Sequence, residues 1–384
     1  MNTHRGFSIL EFESRLQRAQ SMMNDIGLDA ILVTTHPDIY YFTGFLTRFW
    51  ESPSRPWFLI IPNTGNPVAV IPSIGAALMA KTWIKDIRTW TAPDLQDDGV
   101  SLLADALRDV AGSGCVGLPD GHESHLRMPI SDFFRLKNFV DMPEIVGDQQ
   151  IVRRLRIVKS AAEIEKIETA CTIAGRSFDR VSEFAQPGVS LETVFRRFQM
   201  TCLEEGADWV PYLAGGAGPY GYSDVISPAD GTPLASGDCL MLDTGLVHDG
   251  YFCDYDRNFV LGSGNQLVLD AHCKLIDAVH AGFETVMPGA KASDIYHAMD
   301  KVLTGGEGKN DNGRLGHGLG IQLTEWPSLI PTDHTVLETG MVLTLEPGIE
   351  TRQGNMVVHE ENIVVTEEGA RFLSSPAEPD IREI

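Results

Sequence analysis

Six side chains in the second half of the sequence combine types and spacings that chemistry could use. The segment Leu240–Arg257 holds four aspartates, and three of them, Asp243, Asp254 and Asp256, lie in apolar runs that read as buried strands. An isolated buried carboxylate is expelled or neutralised, so these acids need partners. His248-Asp249-Gly250 is a strong hairpin signal. Folding the strands about it sets Asp243 opposite or diagonal to Asp254, with Asp256 on the same face. A second hairpin repeats the device. Residues 345–351 and 355–361 flank Arg352-Gln353-Gly354, and pairing 351 with 355 sets Glu346 opposite Glu360. Between the hairpins lies His317, whose flanking glycines let other groups approach closely. Taken singly, a strand aspartate is commonly an edge or turn residue. Four mutually facing acids without cations, however, would repel and take up protons. Asp243, Asp254, His317, Glu346 and Glu360 form an oxygen-rich set with one imidazole, suited to a pair of divalent ions such as Mn, Fe, Co or Zn.

Those hairpins need a scaffold, and the chain is long enough for two. It has 384 residues, 43% apolar and 22% charged, a globular composition expected to form two domains. The first, 1–155, alternates helix and strand signals: a helix at Glu11–Met23, strands at 30–33, 58–61, 68–71, 86–90 and 115–118, and helical patterns near 74–84, 98–110 and 124–138. This is an α/β layer domain. The second, 156–384, opens on the capping box Ser160-Ala-Ala-Glu163. It continues with a helix at about 190–205, strands at 239–243 and 250–261, helices at about 265–287 and 292–304, a glycine-rich segment at 305–320, and strands at 341–346 and 355–366. That is an α+β pattern with antiparallel hairpins. A net charge of −23 argues against nucleic acid and anionic membrane as partners. No apolar run approaches the length of a membrane span. Six cysteines without pair spacing read as reduced core residues of a cytoplasmic protein.

With Asp243-x-Gly followed by Asp254, then Gly316-His-Gly-Leu-Gly320, Gly340-Met-Val-Leu-Thr-Leu-Glu-Pro-Gly348, and Glu360 ahead of Ile363-Val-Val-Thr-Glu-Glu-Gly369, the C-terminal half resembles the creatinase/prolidase/aminopeptidase P superfamily. The resemblance implies an α/β N-terminal domain followed by a "pita-bread" α+β catalytic domain. It also implies a homodimer and two divalent ions per chain, with manganese favoured among the candidates. On that pattern Asp243 holds one metal, Asp254 and Glu360 bridge both, and His317 and Glu346 hold the other. The implied activity is hydrolysis of a C–N bond in a small carboxylate-bearing substrate such as an Xaa-Pro dipeptide.

Departures from the pattern bear on the substrate. Gly313 and Thr324 stand where Xaa-Pro peptidases usually carry histidines, and no histidine lies between 201 and 242. Val358 replaces a usual Arg, and Asp256 replaces a usual Thr. Asp256 is therefore the expected substitute acid/base, against a plain salt bridge to Arg257. Glu325 is a second candidate for the catalytic set, as substrate ligand or as helix-cap partner. His248 is expected in solvent and His359 on the face opposite Glu360. In the first domain the loop Thr47–Trp57 offers Arg48, Trp50 and Arg55 to clamp a substrate carboxylate and an apolar or cationic body. Two alternatives stay open: a non-peptidase member (an osmolyte-type amide hydrolase or a dimethylsulfoniopropionate lyase) and a non-catalytic binding module.

Overall fold

The computed structural model describes residues 5–52, 56–306 and 313–384. The chain divides into two compact units, Met1–Arg156 and Ile157–Ile384.

The first unit is built on a six-stranded mixed sheet. In spatial order its strands are Asp86–Trp90, Val68–Pro72, Phe58–Pro62, Ala30–Val33, Cys115–Leu118 and Glu144–Gly147. The middle strands are buried along their whole length and strongly apolar, as a sheet covered on both faces requires. Val100, Leu103, Ala104 and Leu107, at helical spacing on Val100–Ala111, close one face against Leu32, Phe58, Ile60 and Val70. A helix at His36–Thr43 was not anticipated; Pro37 occupies its first turn, where a missing N–H costs nothing.

The second unit carries the acids. One sheet runs Arg382–Glu383, Tyr255–Val260, Cys239–His248, Trp209–Gly218, with Tyr251–Phe252 also paired to Cys239–His248. The other runs Glu325–Ser328, His317–Gly318, Val342–Leu345, Glu361–Thr366, Gly369–Phe372. A two-stranded ribbon, Gly348–Arg352 with Asn355–Val358, extends beside them. Helices Gln266–Thr285 and Ala292–Thr304 contribute Leu275, Val279, Ile295 and Met299 to one core with Met241, Leu343 and Ile363. The helix Ala161–Asp179 starts at the anticipated capping box: Ser160 Oγ accepts from Glu163 N–H at 3.3 Å, and Glu163 Oε2 accepts from Ser160 N–H at 2.9 Å. Such a cap contributes about 1 kcal/mol.

Trp209–Gly218 was not anticipated as a strand. Pro211 and three glycines argue against one, but it lies at the sheet edge, where a missing donor is tolerated. All six cysteines are free, and Cys171, Cys202, Cys239 and Cys253 are buried. Among the described residues no helix is long and apolar enough to cross a membrane.

Candidate metal centre

Both hairpins place their acids by register. Asp249 and Gly250 have φ of +47° and +82°, as a two-residue type I′ turn demands. From that turn the ladder runs His248 to Tyr251 and Thr244 to Tyr255, which sets Asp256, not Asp254, directly across from Asp243. Asp254 falls diagonal to Asp243 in the short gap between Tyr251–Phe252 and Tyr255–Val260. Asn362 fixes it there: its Oδ1 accepts from Asp254 N–H at 3.0 Å and its amide donates to Asp254 O.

In the second hairpin Arg352 pairs with Asn355, and an irregularity between Glu350 and Arg352 absorbs one residue. From there Gly348 pairs Val358, and beyond a break Leu345 pairs Glu361 in the neighbouring sheet. Glu346 and Glu360 face each other across that break, where one long hairpin passes from one sheet to the other.

His317 is placed by tight backbone packing. Gly316 has φ +132°, and a Cβ there would stand 2.2 Å from Thr344 O, so only glycine fits. His317 N–H donates to Thr344 Oγ1 at 3.1 Å, and its ring Nδ1 donates to Gly318 O at 2.8 Å. A carbonyl can only accept, so Nδ1 carries the proton and Nε2 presents its lone pair. That Nε2 lies 3.4 Å from Asp254 Oδ2. Ligand atoms of Asp254, His317 and Glu360 all fall within 4.8 Å of one another.

Electrostatics bring in the remaining two acids. Burial, then the charges of Asp254, Asp256 and Glu346, push the Asp243 carboxyl well above the usual range. Glu360 is raised by burial and then by Asp254, Glu346 and Asp243. Asp254 is raised chiefly by burial, with Arg314 opposing. Burial lifts Glu346 to about 7, while His317 pulls it down and Asp254 pushes it up. One oxygen on each of Asp243, Asp254, Asp256 and Glu360 is buried without a hydrogen-bond partner. Such orphan oxygens around an imidazole with its lone pair turned inward fit divalent cations of the N/O-binding kind.

Several expectations change on contact with the structure. Glu325 has both oxygens engaged: Lys159 Nζ donates to Oε2 at 3.0 Å, and the Ile321 and Gln322 amides donate to Oε1 at 3.0 and 3.2 Å. With both oxygens occupied it pins the loop that leaves His317. His248 is buried, 6% exposed, not in solvent. His359, expected on the far face, is also buried, and its Nδ1 donates to Asp256 Oδ1 at 3.2 Å. Strand alternation misplaces it because Val358 and Glu361 end and begin different strands. The Asp256 carboxylate is tied to that imidazole, while the Arg257 guanidinium pairs with Glu361 at 3.0 Å and reaches Asp256 through its backbone carbonyl.

In the first unit Arg48 is exposed at the start of a single 3-10 turn, Phe49–Glu51. Trp50 is half-buried, its ring 5.3 Å from His36 and 5.6 Å from Trp57. Arg127, a residue that the sequence did not single out, stands over it at 5.2 Å. Arg55 lies outside the described residues. Thr344, Asn362 and Tyr212, an electrostatic neighbour of Asp243, also escaped the sequence reading. Their roles depend on cross-strand neighbours that only the register supplies.

The family model for "Metallopeptidase family M24" matches residues 165–367, and that for the "Creatinase/Prolidase N-terminal domain" matches 15–158. The chain belongs to metallopeptidase family M24. It is thus a hydrolase of a family that works with divalent metal ions. This M24 chain is 28% identical over 373 residues to a probable dipeptidase PepE of Mycobacterium bovis, covering 95% of each chain. It is 25% identical over 362 residues to an Xaa-Pro dipeptidase of Pyrococcus horikoshii, covering 94% of this chain and 96% of that one. The crystal structure of a prolidase from Thermococcus sibiricus superposes with a TM-score of 0.86 over 99% of this chain and 100% of its own, at 24% identity. The fold is accordingly the two-domain pita-bread architecture.

Proposed function

We propose that this M24 hydrolase is a dinuclear metal-dependent dipeptidase of the Xaa-Pro type, with manganese the favoured ion. The observation that carries the reading is the close triad of Asp254, His317 and Glu360 among orphan buried carboxylate oxygens. Asp243 and Glu346 would complete the holding set from either side of it. Bound divalent ions would supply a water nucleophile at neutral pH and polarise the scissile carbonyl. The chain's own contribution is positional. The Gly318 carbonyl fixes the His317 tautomer, and Asn362 holds the backbone of Asp254. Asp256, with one oxygen unpartnered on the face of Asp243, is the group proposed to hold or move a proton at Oδ2. Arg48, Trp50 and Arg55 are proposed to receive the substrate carboxylate and side chain, from the partner subunit of a homodimer in the cytoplasm. Dipeptide cleavage comes from the Xaa-Pro dipeptidase and PepE relatives.

A second reading, cleavage of a non-peptide amide, is favoured by Gly313, Thr324 and Val358 standing where peptidases carry proton-transfer and clamping groups. The test is turnover by manganese-loaded protein against a panel of Xaa-Pro dipeptides, other dipeptides and small cyclic or N-acyl amides. Cleavage of Xaa-Pro bonds alone establishes the first reading. Cleavage confined to the non-peptide amides replaces it with the second.

A further inference from the structure

Behind the proposed metal-holding acids lies a buried chain of charged side chains that the hydrolase chemistry does not account for. Asp256 is 1% exposed. Its Oδ1 accepts from His359 Nδ1 and from the Glu360 backbone N–H, both at 3.2 Å. The other nitrogen of His359, Nε2, lies 3.2 Å from Glu361 Oε1, a charge contact off the line of a directed hydrogen bond. Glu361 in turn pairs with Arg257 at 3.0 Å and accepts from Ala377 N–H at 2.8 Å and from the Ser374 hydroxyl. His359 itself is 1% exposed, with the His272 ring 5.7 Å away. The order from the centre outward is Asp256, His359, Glu361, Arg257.

Two features give this chain a direction. Asp256 stands directly across the ladder from Asp243, and its Oδ2 has no partner, although a buried carboxylate oxygen ordinarily finds one. Its Oδ1 also receives the amide of Glu360, so one carboxylate joins the strand paired with that of Asp243 to the backbone of Glu360. An imidazole holding Oδ1 from behind therefore decides where Oδ2 points and where Glu360 sits. Groups of this kind orient the residues that touch a metal, and removing them typically lowers metal affinity about 10–100-fold.

We propose that His359 is a positioning residue of the metal centre, acting through Asp256 to hold Asp256 Oδ2 toward Asp243 and to fix Glu360 beside it. The proposal rests on the metal-centre reading above. The Asp256–His359 pair thereby ties both acid hairpins together at the point where the second passes between sheets.

The experiment is manganese affinity, measured by competition with a chelator on the full chain, with a thermal melt of each metal-free variant to establish folding. His359→Gln should lose about 10–100-fold in affinity. His359→Asn, whose amide can replace Nδ1 toward Asp256, should keep most of it. In an Asp256→Ala background, His359→Gln should have no further effect, because the group through which it acts is gone. A folded His359→Gln protein with unchanged affinity overturns the proposal, as does a loss that persists undiminished beside Asp256→Ala. Should His359→Gln not fold, Asp256→Ala alone decides, since unchanged affinity there removes the intermediary. Wild-type protein that binds no manganese defeats the metal-centre reading itself, a result distinct from either of these.

Discussion

Glu325 provides the sharpest test of reasoning from partners rather than from residue type. Its carboxylate and the Lys159 ammonium are 7% and 1% exposed as side chains and 3.0 Å apart. Gly320 packs against both: a Cβ there would come within 3.0 Å of Lys159 Cε and 2.9 Å of Glu325 Oε2. Lys159→Met would leave a buried carboxylate without its cation, and breaking such a pair costs about 3–5 kcal/mol. Two backbone amides still serve Oε1, so the lower end, about 3 kcal/mol, is expected. At about 2–4 °C per kcal/mol for a unit of this size, the melting temperature should fall by roughly 6–12 °C. Glu325→Gln keeps the shape and an acceptor for the amides, and should cost about 1–3 kcal/mol. Combining it with Lys159→Met should cost less than the two added, since each then removes the other's unpaired partner. The assay is thermal unfolding of each variant with manganese bound, beside turnover at a temperature where all are folded. A Glu325→Gln protein that melts like wild type yet has lost turnover would refute the argument and return Glu325 to the catalytic set.

Elemental analysis should find up to two divalent ions per chain, and Asp254→Ala should lose most of both; full occupancy in that variant refutes the assignment. With metal saturating, Asp256→Asn should lower kcat about 10²–10⁴-fold, the usual contribution of an acid/base group. A loss below about tenfold would confine Asp256 to positioning. Glu346, raised to about 7 in the metal-free fold, stabilises that fold fully below its ordinary pKa and ceases to as pH rises through about 7. Asp243, Asp254 and Glu360 shift in the same direction. Bound cations relieve that repulsion and compete with the protons. Chelation should therefore lower the melting temperature more at pH 8 than at pH 6, and an equal drop at both would contradict the shared-repulsion account.

Legibility in the sequence followed the range of the interaction. The Asp249-Gly250 turn is local, so it gave the first hairpin and placed Asp243, Asp254 and Asp256 on one face. Which acid stands opposite Asp243 depended on exact register, and there the structure supplied Asp256. The ion pair of Glu325 was not legible because its cation, Lys159, lies 166 residues away in the chain. His359 was misread because alternation assumes an unbroken strand, and the hairpin changes sheets at that point. Arg127, over the ring of Trp50, carries no local signal, since its neighbour is 77 residues distant.

The break in the second hairpin also separates two kinds of tolerance to change. Its exposed tip, Gln353-Gly354, lies beyond a lateral clamp in which Tyr222 and Met356 exchange backbone hydrogen bonds of 3.0 and 2.9 Å. Thr351 Oγ1 adds a bond to Tyr220 O below the tip. Extra residues inserted at the tip would be absorbed on the far side of that clamp, leaving Glu346 and Glu360 aligned. One residue inserted between Pro347 and Ile349 would instead turn Glu346 to the opposite face. The tip is thus a place to graft a peptide tag or a fluorophore that reports on this domain without touching its carboxylates.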